Sequence, residues 1–588
     1  MNKKSEIGAW IWLPVILAVA VAPLITVIHA YDCGLENNLW FSTGGVVYDF
    51  FLYYKSRLLM LAGVLAAVVL GLLILQREKG NLAKKKAWMP LIPVGVFLLF
   101  SFLSALFSED RQAAFFGGYE QFEGLLVLVT YVLCFSLVYC YVNNEKSAKI
   151  ILYALLVGAL LVGTLGVFQA LGYDYDYMNS SWGKALVTSI EAATRKFNFK
   201  LNFEEGIAYS TLYNPNYIGS YVGLVLPVTA SFIVWKGNVY GKIFAGIATL
   251  FQVIMLIASR SLAGIIGVIC AVITAVVFLV PYIIKKRLLT VIAGGVLAVG
   301  IVAFIIACPN IFENLFADNY AGKASITSIT TEKNTFRLET ASGRIITGTV
   351  ENGTGIYQAV LQDDLGNTVI GSYENIQFSP SQMTLQNPEQ TVDTLEIKAD
   401  GKTFSLVMVG KNIRYVNLFG RVDALREIDK FGFEGHYGFA TKRGYIWSRT
   451  LPLLKDTLFL GKGADNFTHA FPNDDYVGKI YMNYDGAVVT KPHNMYMQIW
   501  VQDGMFACLA LIVLFFLYVV DTFRTCFGGG EKSFRQKTAI AILCGVVGYM
   551  VAGLANDSTI CVAPVFWVLF GLGFAMNVLE RVKERARV

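Results

Sequence analysis

Charge is scarce in this chain. Asp, Glu, Lys and Arg make up 15% of its 588 residues, against about 25% in an ordinary soluble protein. Histidine is scarcer still, with four. The nine cysteines include no CxxC pair, so zinc and dithiol redox motifs are unsupported. No GxGxxG, GxSxG or HExxH pattern occurs in a usable context. The turn at Gly461 and Gly463, in GKGAD, lacks the Gly-Lys-Ser/Thr end of a phosphate loop. These absences exclude a disordered chain, a fibrous repeat and an ordinary cytosolic enzyme.

What is present instead is apolar sequence. Hydrophobic residues reach 55% and mean hydropathy is +0.55. A bilayer core needs about 20 apolar residues per helix. Twelve such runs can be read: 10–30, 58–75, 88–107, 124–142, 150–170, 217–235, 241–258, 261–281, 288–307, 495–520, 538–555 and 560–580. They predict an all-α polytopic membrane bundle of about 12 transmembrane helices. The basic residues ahead of the first run, with no small-residue cleavage site after it, predict a retained helix rather than a removed signal.

Loop charge predicts the orientation. With the N-terminus inside, the inner segments hold 22 Lys and Arg. The outer connections, apart from 308–494, hold 8. Both termini are therefore expected in the cytoplasm. The net charge of +6 belongs to those inner loops, and nucleic acid is not an expected partner. Two outer segments are too long to be connectors: 171–216, within the first nine helices (1–307), and 308–494. The second divides into a β-rich insertion, 308–435, and an irregular segment, 436–494, before the last helices at 495–588. RIITGTVENG, YQAVLQDDLGNTVIG and LEIKADGKTFSLVMVG alternate like antiparallel strands, with a primed hairpin turn at Asp400-Gly401.

Few polar residues stand at the predicted outer surface, and they are the candidates for chemistry. His493, in KPHNMYMQIWVQDG, lies where the outer segment becomes a span. An imidazole there can accept a proton at neutral pH. Arg260, in IMLIASRSLAGIIG, interrupts two apolar runs. Its charge requires a cavity or a fixed anionic partner. Arg443, in TKRGYIW, is on the same predicted face, and the arginine fork suits a phosphate. Asn214 and Pro215 are placed to start the helix that includes Asn216. Glu120 and Glu123 open the fourth span and can pair with Arg260 or another base. Lys442, Lys491 and Asn494 are plausible helpers. The acidic pairs Asp174/Asp176 and Asp474/Asp475 read as solvated loop carboxylates, and no metal site is expected.

GGYEQFEGLL, YNPNYIGSYVGLVLP, ASRSLAGIIG, KRGYIWSRTLPLLKDTLFLGKGADNF and KPHNMYMQIWVQDG, in that order, resemble the O-antigen ligase and polymerase superfamily over about 110–525. The β-rich 325–420 stretch departs from the usual ligase loop. The resemblance implies a C-type membrane glycosyltransferase-like bundle in the cytoplasmic membrane. It implies a donor glycan on undecaprenyl diphosphate, and inverting transfer to an acceptor hydroxyl outside, without a cofactor or metal. By position, His493 resembles the family's base, and Arg260 and Arg443 the arginines that hold the diphosphate. The acceptor is a glycan, lipid or protein, the last making a protein O-oligosaccharyltransferase. A transporter or flippase for lipid-linked glycan is the alternative, but it calls for charge through the depth of the bundle rather than at one face.

Overall fold

The computed structural model describes residues 8–42, 44–78, 80–84, 87–172, 204–235, 238–283, 324–351, 355–386 and 389–585. The apolar runs within them are largely helical, the first only as far as Leu24. In chain order the main helices are α1 (Tyr53–Leu75), α2 (Leu91–Leu106), α3 (Leu125–Tyr141), α4 (Glu145–Ala170), α5 (Pro215–Ser231), α6 (Val239–Ala258), α7 (Leu262–Ile283), α8 (Phe439–Asp456), α9 (Met495–Asp503), α10 (Met505–Cys526), α11 (Phe534–Ala552) and α12 (Ala563–Arg585). Six of them, α1, α4, α5, α6, α10 and α12, are long and apolar enough to cross a membrane. Ala9–Leu24, α2, α3 and the first part of α7 are shorter apolar helices. Against the expected count of about twelve, six helices of full spanning length are present among the described residues. The run at 288–307 lies outside them.

The run 495–520 is not one helix, as expected, but two. Gly504, at φ 93° and ψ 161°, separates α9 from α10. That backbone conformation is open to glycine and strained for other residues.

Helix starts follow the capping residues. Asn214 accepts a hydrogen bond from the Asn216 N–H, and Pro215 occupies the first turn of α5. Asn494 accepts from the backbone of Tyr496 and Met497 at the start of α9. Each such cap is worth about 1 kcal/mol.

Helices in lipid gain little from apolar burial against each other, so small residues that allow close approach decide packing. Glycines line the seam between α5, α7 and α11. A Cβ on Gly264 would stand 2.2 Å from the Gly219 Cα, and one on Gly548 would stand 2.5 Å from the Gly223 carbonyl oxygen. This seam sets the start of α5 beside the turn that follows α11. Helix α12 forms the centre, with its whole spanning stretch buried.

The expected strands are present. β1 (His29–Asp32) and β2 (Val46–Asp49) form a hairpin in the first long connection. β3 (Ile326–Glu332), β4 (Thr335–Thr340), β5 (Ile345–Thr349) and β6 (Val360–Asp363) form a four-stranded antiparallel sheet. The second sheet holds six strands: β7 (Ser372–Tyr373), β8 (Ile376–Gln386), β9 (Glu389–Ala399), β10 (Lys402–Val409), β11 (Asn412–Val416) and β12 (Val422–Asp423). Ala399 pairs with Lys402 across Asp400 and Gly401, at φ 54° and 72°. That is the primed turn the Asp-Gly pair predicts.

The β core is not self-contained. Tyr476, Val477, Ile480 and Tyr481, from beyond the strands, complete it. The first connection also docks on it, through hydrogen bonds from Asn417 Nδ2 to the Leu39 carbonyl and from Arg421 to the Glu36 and Asn38 carbonyls.

Candidate functional site

Four stretches meet at one end of the bundle: the turn before α3, the start of α5, the lead into α9, and the turn between α11 and α12. His493 sits among them at φ +53°. Its Nδ1 lies 2.9 Å from Asp557 Oδ2. The Asp557 side chain is fully buried, whereas that of His493 is 35% exposed. A buried carboxylate on Nδ1 favours the tautomer with its proton there, which leaves Nε2 as the accepting nitrogen.

Burial by itself would raise the Asp557 pKa. The pairing with His493 and the charges of Lys491 and Arg443 outweigh it and hold the carboxyl below its usual range. The second carboxylate oxygen, Oδ1, is buried with no hydrogen-bond partner among the described residues.

Lys491 is buried, and its ammonium donates to the Glu120 carbonyl at 3.0 Å and the Tyr217 hydroxyl at 3.1 Å. Burial acts to lower its pKa, but Tyr213, Glu120, Asp557 and Asp465 raise it further, so it stays charged. Among the described residues Arg443 donates to neutral oxygens: Ala555 O at 3.1 Å, Ala440 O at 2.9 Å and Thr441 Oγ1 at 2.9 Å. Ala440, Thr441 and Lys442 are all left-handed, at φ 49°, 59° and 71°. For L-residues this costs about 1–2 kcal/mol each. The turn brings the Ala440 and Thr441 oxygens onto the guanidinium. Backbone strain of this kind concentrates at functional sites, and Glu120, Phe122, Tyr213, Asp465 and His493 share it here.

Behind the dyad is a buried polar layer. Glu123 Oε1 accepts from the Tyr131 hydroxyl at 2.8 Å and the Ser558 hydroxyl at 3.0 Å. Burial and the nearby Asp465 push the Glu123 carboxyl up to about 8. Asp465 Oδ2 accepts from the Gly118 and Glu123 N–H groups, and burial pushes its pKa up to about 7. Asn556 donates to the Asn216 carbonyl and the Ser220 hydroxyl, which ties the α11–α12 turn to α5.

The sequence candidates divide accordingly. His493, Arg443 and Lys491 come together around Asp557. Asn494 and Asn214 cap helices beside them, and the Asn216 carbonyl and Glu123 fix neighbouring turns. Arg260 stands apart from this cluster. It is at the same end of the bundle, since Ser261 packs on Gly219 near the start of α5. Its side chain is 71% exposed, and its ion pair with Glu204, at 3.7 Å, is exposed as well. The expected cavity or fixed anionic partner is replaced by solvent, and a pair of this kind contributes about 0–1 kcal/mol. Glu120 pairs with Thr490 and, through its carbonyl, with Lys491 rather than with Arg260. Of the pair Asp474/Asp475, expected to be solvated, Asp475 departs while Asp474 stays partly exposed. Asp475 is buried against Arg449, at 2.9 Å, and Asp474 accepts both forks of Arg426. Asp174 and Asp176 lie outside the described residues.

Asp557 is a candidate residue that the sequence alone did not mark. Its signal was an acidic residue in the four-residue polar turn NDST between two apolar runs.

The family model described as O-antigen ligase matches residues 403–512. This supports the resemblance to the O-antigen ligase superfamily. The matched stretch includes Arg443, Lys491, His493 and Asn494, and leaves out Asp557 and Arg260. Among curated proteins and among solved structures nothing matches the chain.

Proposed function

We propose that this membrane protein transfers or polymerises glycan from an undecaprenyl-diphosphate-linked donor to an acceptor hydroxyl. The reaction takes place at the end of the bundle that carries His493, which loop charge assigns to the extracytoplasmic side. The observation that carries this reading is the His493–Asp557 pair beside Arg443 and Lys491.

The acceptor oxygen attacks the anomeric carbon while the bond from that carbon to the diphosphate oxygen breaks. The diphosphate leaves with the bonding electrons, and the configuration inverts. His493 Nε2 takes the hydroxyl proton. Asp557 holds the ring and stabilises the imidazolium that forms, without itself taking the proton. Arg443 and Lys491 lie where negative charge grows on the leaving group. Cations already fixed by backbone carbonyls need no reorganisation as the charge develops. Arg260, more exposed at the same end, meets the diphosphate as it arrives.

The test is transfer from a purified lipid-diphosphate donor to an acceptor in nanodiscs, with EDTA present. His493→Ala is expected to slow transfer about 10²–10⁴-fold. Arg443→Lys keeps the charge but loses the planar fork, and is expected to impair transfer as well. Near-normal rates in both folded variants would refute the site. Arrest by EDTA would refute the metal-free reading.

A further inference from the structure

A cavity lies on the side of α8 away from His493. It has a volume of about 690 Å³ and is walled by β3, β4, the 425–437 segment, α8 and the 474–482 segment. This is the size range of small-molecule sites.

Helix α8 separates it from the histidine. Successive residues advance by about 100° in a helix, so positions two apart are nearly opposed while those four apart share a face. Arg443 and Trp447 face the dyad, where Trp447 Nε1 donates to the Pro492 carbonyl at 2.8 Å. Tyr445 and Arg449 face the cavity.

The cavity wall is tied together by ion pairs, ring contacts and hydrogen bonds. Arg449 is 5% exposed. It bonds Asp475 and lies over the Tyr437 ring at 4.5 Å and the Tyr445 ring at 4.3 Å. The Tyr445, Tyr476 and Tyr481 hydroxyls each donate to a carboxylate: Asp475, Asp423 and Asp400. Tyr437 is half-buried and presents the most accessible ring of the four.

The charge is opposite to that of the donor cluster. Five carboxylates line the cavity against three basic groups. Arg449 cancels Asp475, and Arg426 cancels Asp474. Glu339, Glu427 and Glu434 then stand against Lys430. Such a lining disfavours a diphosphate or an acidic sugar, and it is too polar for a lipid tail. Aromatic rings interleaved with hydrogen-bonding groups fit a neutral or amino saccharide, whose rings offer C–H faces and whose hydroxyls both donate and accept.

We propose that the cavity between the β domain and α8 is a binding site for a neutral or amino saccharide, separate from the site at His493.

The experiment presents the full chain in nanodiscs to an array of neutral, amino and acidic oligosaccharides. In parallel, binding of the lipid-diphosphate donor is measured. The wild type is expected to retain neutral or amino saccharides. Tyr437→Ala, and separately the exposed Glu434→Arg, are expected to weaken that binding about tenfold or more, the equivalent of one good contact. Donor binding is expected to stay within about twofold of the wild type, a change too small to represent a lost contact. Binding confined to acidic saccharides, binding that Glu434→Arg leaves unchanged, or no saccharide bound at all would overturn the proposal. A chain that binds saccharides through Tyr437 and Glu434 but never turns over the donor would sink the transfer reading and leave this site standing.

Discussion

His493 Nδ1 rests 2.9 Å from Asp557 Oδ2, across 64 residues of chain. One partner is half-exposed, and the other is sealed among Lys491, Arg443 and the turn between α11 and α12. In the proposed reaction Asp557 orients the ring and leaves Nε2 to accept the proton.

That relationship sets the first expectation. Asp557→Asn keeps the shape but removes the charge that selects the tautomer. Transfer is expected to fall about 10²–10⁴-fold. The Asp557→Asn/His493→Ala double variant should be about as slow as the slower single one, because residues acting as a unit are not additive. Single-turnover rates in nanodiscs provide the check. Losses that multiply would show that the two residues act separately.

The buried acids give stability a pH dependence. The folded-state pKa values of Glu123 and Asp465 are raised, to about 8 and about 7, above 4.5 and 3.8. The folded chain therefore binds more protons than the unfolded chain between those limits. Their contribution is full below the lower values, is lost as pH rises through the folded ones, and is flat above. The slope is at most about 1.4 kcal/mol per pH unit for each group. Melting temperatures measured from about pH 5 to about pH 9 should fall and then level off. Glu123→Gln should flatten the curve. A curve unchanged by that substitution would show that Glu123 is ionised in the fold.

The hairpin tip between β9 and β10 is expected to tolerate little. Gly401 stands at φ +72°. Asp400 beside it accepts hydrogen bonds from Ser325 and Tyr481. A β-branched residue is excluded from that backbone region, so Gly401→Val should cost about 1–2 kcal/mol. Limited proteolysis should then cut near the tip sooner than in the wild type. An unchanged cleavage rate would mean that the turn can rearrange freely.

Orientation is tested at Lys411, an exposed residue of the β11 hairpin. Lys411→Cys is expected to react with an impermeant maleimide added to intact cells. Labelling only after the membrane is opened would reverse the topology read from loop charge.

Much of this protein follows from sequence alone, because local chemistry decides it. Apolar runs must be helical in lipid, where unpaired backbone groups are too costly. Strand alternation and the Asp400-Gly401 turn specify hairpins from a few adjacent residues. Asn214, Pro215 and Asn494 announce helix starts through their own side chains. The interface position of His493 was legible for the same reason. Contacts across long separations were not. Asp557 meets His493 only because glycine-to-glycine packing of α5, α7 and α11 sets one turn against another. Arg260 looked buried beside its apolar neighbours, yet its own left-handed backbone, at φ +52° just past α6, turns it into solvent. Asp475 looked solvated until Arg449, from another helix, covered it. Periodicity carries the elements; which charges end up as partners depends on how the helices approach, and only the tertiary structure decides that.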